Sequence, residues 1–117
     1  MKKIALLLTF IFLAVSTIAY AHPPRDIKIT FDPGTKMLQA VIYHDVANPA
    51  NHYIKKVDVS LNGKGIIEHT LSRQDNFNTQ TVTYLIPDAK DGDVLAVEGY
   101  CNISGVLQKQ ITVQSRK

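Results

Sequence analysis

The chain predicts an all-β fold, an immunoglobulin-like β-sandwich of about seven antiparallel strands, and three observations carry that expectation. Apolar residues beyond position 21 alternate with polar ones in short runs, the period of a half-buried strand. Clusters of Asp, Asn, Pro and Gly separate the runs at near-regular spacing, as in sandwiches. No segment beyond position 21 sustains a helical period.

The elements follow in order. Asp26 to Phe31 alternates, with Ile27, Ile29 and Phe31 on one face, and ends at the turn residues Asp32-Pro33-Gly34-Thr35. Leu38 to His44 places Leu38, Ala40, Ile42 and His44 on one side. Tyr53 to Leu61 directs Val57, Val59 and Leu61 inward, and Asn62-Gly63 is a hairpin signal into Ile66 to Leu71. Thr79 to Ile86 presents Val82, Tyr84 and Ile86 to one face, and a turn-rich link containing Asp91-Gly92 follows. Val94 to Cys101 and Leu107 to Val113 form a last hairpin around Ser104-Gly105.

Residues 1–21 read as a cleaved signal peptide rather than part of the fold. Lys2 and Lys3 precede an apolar run from Ile4 to Ile18, and Ala19-Tyr20-Ala21 has the small-x-small pattern of a cleavage site. The run is shorter than the roughly 20 residues of a spanning helix. Cleavage after Ala21 would release a periplasmic or secreted domain, 22–117, with no membrane attachment. Loss of Lys2 and Lys3 lowers the formal charge of +3 by two. The near-neutral remainder has no basic patch for nucleic acid and no charged tail.

Four side chains stand out as metal ligands. His44 and His52 flank a loop with Pro49, and Cys101, the single cysteine, closes a later strand on its apolar face. One cysteine in an exported domain has no internal disulfide partner, which leaves metal binding, reactivity or plain burial. Imidazole and thiolate together suit iron, copper or zinc better than calcium or magnesium. His22 would be the first residue after cleavage, so its α-amine and ring would both be available to a metal. Pro23 stiffens the exit, although a mobile terminus is the usual state of such residues. His69, mid-strand between Glu68 and Thr70, is expected to face solvent.

The runs His52-Tyr53-Ile54 and Tyr100-Cys101-Asn102-Ile103-Ser104-Gly105, with the Leu61-Asn62-Gly63-Lys64 hairpin between them, resemble the superoxide reductase (desulfoferrodoxin, neelaredoxin) family. The resemblance spans most of Asp26 to Val113. It implies a β-sandwich holding ferrous iron through four equatorial histidines and an axial cysteine, with a sixth position open to superoxide. Cys101 and His52 match the family positions. His44 fits with a loop two residues longer, and Ser104 stands where the family has a histidine ligand. The resemblance therefore implies iron bound by His44, His52 and Cys101, completed by His22 or water. The activity implied is a superoxide-reductase-like oxidoreductase acting on a small-molecule oxidant with an unidentified electron donor.

Two other readings stand beside it. One is an exported copper-binding protein using His22, His44 and His52, with or without Cys101. The other is a metal-free sandwich that binds a protein partner. Ala89-Lys90-Asp91-Gly92-Asp93 resembles the sulfur-oxidation carrier subunits, which act in that way. No Ser-His-Asp spacing, phosphate loop or paired carboxylates suggest other chemistry.

Overall fold

The computed structural model describes residues 22–115. The expected signal peptide, 1–21, lies outside the described residues. Seven strands form, and there is no helix among the described residues. They are β1 (Asp26–Asp32), β2 (Met37–Tyr43), β3 (Ile54–Leu61), β4 (Lys64–Thr70), β5 (Thr79–Leu85), β6 (Val94–Cys101) and β7 (Val106–Thr112). A three-stranded sheet, β1-β2-β5, faces a four-stranded sheet, β4-β3-β6-β7, and every pairing is antiparallel. The β-sandwich expected from the alternation is the fold observed, with strand ends within about two residues of those expected.

Period-two patterning sets the register. Leu38, Ala40 and Ile42 from β2 are fully buried against Val57 and Val59 from β3 and Leu95 and Val97 from β6. A slip of one residue would turn each row outward, and every large aliphatic exposed would lose roughly 1.5–3 kcal/mol. Asn62 and Gly63 both have positive φ (52° and 83°), the backbone of a type I′ hairpin turn.

Antiparallel pairing gathers one set of chain segments at one end. Asp26 pairs with Tyr43, Tyr43 with Thr79, and Ile54 with Cys101, while Tyr100 pairs with Val106. The start of β1, the end of β2, the starts of β3 and β5, the end of β6 and the start of β7 therefore share that end. Three loops and the N-terminal arm converge there: 22–25, 44–53, 71–78 and 102–105. A bulge between Ile54 and Lys56 bends β3 at the same place, and bulges commonly re-aim side chains beside functional sites.

Expectation and structure differ at His69. It is half-buried rather than facing solvent, and its Nδ1 lies 2.7 Å from the Tyr84 hydroxyl. β4 and β5 are edge strands of opposite sheets, and packing of the sheets brings the two rings to 5.6 Å. Burial pushes the Tyr84 phenol up to about 12.

Candidate metal centre

His44 continues the inward row of β2 one residue past the strand end and is fully buried. Its backbone N–H donates to Asn78 O (2.8 Å), and Val46 N–H donates to Phe77 O (2.8 Å). These bonds tie the start of the 44–53 loop to the 71–78 loop. Deeper in that loop, Gln74 N–H donates to Pro49 O at 3.0 Å. His52 sits at the far end, where its N–H donates to Asn48 O (3.0 Å) and Asn48 Oδ1 accepts from Ala50 N–H (2.9 Å). Asn48 thus shapes the turn that returns the chain to β3.

Asn102 clamps this loop from the β6 side. Its Oδ1 accepts from Tyr53 N–H (2.9 Å), its Nδ2 donates to Asn51 O (3.0 Å) and its backbone N–H donates to Tyr53 O (2.9 Å). A residue singled out in sequence as part of a motif therefore holds the main chain on both sides of His52.

The N-terminal arm is seated against the sandwich. Pro24 is buried, and Arg25 N–H donates to Tyr43 O (2.8 Å), extending the β1–β2 ladder. A Cβ on Gly99 would lie 3.6 Å from Pro24 Cγ, and one on Gly105 only 2.6 Å from Pro23 N. Gly105 also has φ +100°, a conformation suited to glycine. Arg25 pairs with Asp45 (3.0 Å). The Asn78 side chain first, and the Arg25 charge with it, hold the Asp45 carboxyl below its ordinary range. The arm thereby brings His22 to His44 and His52.

The three imidazoles form one cluster. Ring centroids lie 4.8 Å apart for His22 and His44, 5.1 Å for His22 and His52, and 4.9 Å for His44 and His52. One nitrogen from each can be chosen so that all lie within 4.8 Å of one another. The Nε2 atoms of both His44 and His52 are buried with no hydrogen-bond partner. Buried polar atoms without partners are uncommon in native proteins and call for an explanation. A metal ion bound by these nitrogens would supply one, and three imidazoles suit zinc, copper, iron or nickel.

Electrostatics favours the metal-ready state. Burial is the main effect lowering His44; its hydrogen bond with Gln74 opposes this, the neighbouring His22 charge lowers it further, and the nearby His22 main chain and the Asp45 charge raise it in smaller measure. His52 is lowered first by burial, then by His44 and His22. Both rings therefore remain neutral under conditions where an exposed histidine begins to charge, and neutral imidazole is the ligand form.

Cys101 is buried at the end of β6, and Ile103 N–H donates to its Sγ at 3.4 Å. It is paired with Ile54, two residues beyond His52. Its sulfur is not part of the three-histidine group. Ser104 is exposed and is not part of it either. Sequence reasoning missed Gln74, which is fully buried against His44. It lies in a polar stretch, Ser72 to Asn78, that reads as an ordinary loop.

No protein-family model and no curated protein matches the sequence. Among solved structures, the chain is similar to a superoxide reductase (neelaredoxin) from Ignicoccus hospitalis. The two share 16% identity with a TM-score of 0.51, over 79% of this chain and 81% of that one. This chain folds like a superoxide reductase. At that identity the likeness speaks for the sandwich and not for its chemistry, which must be argued from the residues present.

Proposed function

We propose that the protein is exported and holds a single metal ion at the open end of its superoxide-reductase-like sandwich, through His22, His44 and His52. The observation carrying this reading is the pair of buried, unpartnered Nε2 atoms within a cluster of three imidazoles. The shared fold puts iron first among the metals. On that reading Cys101, whose sulfur lies outside the three-histidine group, would have to join it as a thiolate when metal binds; that sulfur accepts a backbone N–H, an outer contact of the kind that tunes metal thiolates. Bound ferrous iron would supply the electron that, with two protons, converts superoxide to hydrogen peroxide. The chain's own part is to hold His44 and His52 neutral, to clamp the His52 loop through Asn102 and to seat the arm that carries His22. Ser104 stands in place of a fourth histidine, and superoxide reduction is the activity to assay first.

Copper is the second reading, favoured by the place of His22 in the cluster and by a sulfur outside it. If cleavage follows Ala21, the free amine of His22 would be a further donor. Metal analysis of exported protein, purified without oxygen and without a histidine tag, separates the readings. Iron near one per chain, lost on Cys101→Ala, supports the first. Copper that is weakened when the terminal amine is blocked supports the second. A chain that holds neither of these, nor zinc or nickel, would overturn the metal proposal and leave a sandwich that binds a protein partner.

A further inference from the structure

Gln74 makes three hydrogen bonds that together specify which nitrogen of His44 is free. Its Nε2 donates to His44 O at 2.8 Å and to Asn76 O at 2.9 Å. Those two carbonyls use both amide protons and settle the orientation of the amide, because the flipped form would turn an oxygen toward two oxygens. The oxygen, Oε1, then lies 2.8 Å from His44 Nδ1. A carboxamide oxygen only accepts, so Nδ1 carries the proton. The neutral ring must present its lone pair at Nε2, the buried atom that has no partner. Gln74 is 0% exposed, and Pro49 O accepts its backbone N–H at 3.0 Å. The same residue thus grips the ring of His44, its main chain and the loop that leads to His52.

We infer that Gln74 is a positioning residue for the metal centre: it holds His44 in the Nδ1–H tautomer and aims the Nε2 lone pair at the His22–His44–His52 cluster. The inference rests on the proposed metal-binding reading. Metal-ligating histidines ordinarily donate their second N–H to an oxygen, and loss of that oxygen weakens metal binding by about 10- to 100-fold. Here the acceptor is a side-chain amide whose own donors are tied to main chain, so it cannot rotate to follow the ring. The tautomer is built into the fold before any metal arrives.

Two measurements test this. The first uses the metal-free wild-type chain and long-range proton–nitrogen correlation spectra of its histidines. His44 protonated at Nδ1 is the expected result, and protonation at Nε2 would overturn the inference whatever the protein binds. The second titrates ferrous iron alone, without oxygen, into wild type, Gln74→Met and Gln74→Glu. Gln74→Met, close in size but without an acceptor, should bind about 10- to 100-fold more weakly and show mixed His44 tautomers. Gln74→Glu restores the acceptor and should recover most of that affinity, although it leaves His44 O and Asn76 O without donors and lowers stability. Equal weakening in both variants would mean that Gln74 acts only through loop structure, and would sink the positioning role. Failure of wild type to take ferrous iron would count against the iron reading, while the wild-type tautomer would still decide the inference. If Gln74→Met does not fold, the tautomer spectrum and the Gln74→Glu affinity carry the decision.

Discussion

The two ends of this sandwich treat buried polar groups in opposite ways. At the end away from the histidines, Asp93 is buried and both its oxygens are used. Oδ1 accepts from Asn62 Nδ2 (3.1 Å) and Oδ2 from Lys90 N–H (2.9 Å). Asn62 completes the arrangement by accepting Val94 N–H at 2.9 Å, and Lys36 Nζ donates to Ala89 O. At the other end, His44 and His52 each bury an Nε2 with no partner. One end is closed by its own hydrogen bonds. The other leaves valences that only something from outside the chain can fill. Asp58 Oδ1, in β3, is also buried without a partner, so what sets the histidine end apart is that its two unpartnered nitrogens stand together in a three-imidazole cluster, which supports the proposed metal-binding end.

The largest effect expected from breaking this contrast is His52→Leu. Metal affinity should fall by a factor on the order of 100 or more, since a ligand is lost rather than the outer-shell partner worth 10- to 100-fold. The metal-free protein should be no less stable, because an unpartnered buried nitrogen is replaced by an apolar side chain. Calorimetric metal titration and chemical denaturation check the two halves. A clear loss of metal-free stability would mean that His52 serves the fold.

Asn62→Ala should show the reverse pattern. It leaves Val94 N–H without its acceptor, leaves Asp93 Oδ1 with only the Lys90 ammonium at 3.6 Å, and puts alanine at φ 52°, costing about 2–3 kcal/mol. Metal affinity should not change, and if it does, the ends are coupled.

Gly105→Ala tests the seat of the arm. The new Cβ would meet Pro23 N at 2.6 Å and Pro23 Cα at 2.7 Å, at φ +100°. Stability should drop by about 1–3 kcal/mol, and metal affinity by about tenfold if His22 leaves the cluster with the arm, a change readable in the same titration.

The smallest effect separates the buried histidines from the carboxylates by pH in the metal-free protein. Burial lowers His44 and His52 below the ordinary 6.5. The unfolded chain then binds more protons just below 6.5, so stability is full above that value and declines as pH falls through the window beneath it. Asp93 is lowered from 3.8, chiefly by the Asn62 hydrogen bond and the Lys90 backbone donor. Its contribution is full above 3.8 and is lost only as pH falls through its lower folded value. Denaturation midpoints measured from pH 8 to 3 should show two separate declines. His44→Leu with His52→Leu should remove the upper one alone.

The strands were legible because burial imposes a period of two on neighbouring residues. Leu38, Ala40, Ile42 and His44 could be read as one row before any fold was known, and that row places His44 at the mouth of the core. His22 was legible for a different reason, its position after a cleavage pattern. Cys101 shows the limit of such reading. A motif put it beside His52, and the register does pair it with Ile54, yet sulfur and imidazoles do not form one group here. His69 was misread because polar neighbours in sequence do not reveal a tyrosine arriving from the opposite sheet.

By itself, then, the sequence determined the alternating strands, their turns and the inward row that ends in His44, since each depends on contacts and conformational preferences close along the chain. Tertiary structure alone decided that three histidines from an arm, a strand end and a loop share one site. It also decided that Gln74 from a polar loop is buried against one of them, and that Gly105 must lack a side chain for the arm to close. Those outcomes depend on distances between segments far apart in sequence, which side-chain periodicity does not encode.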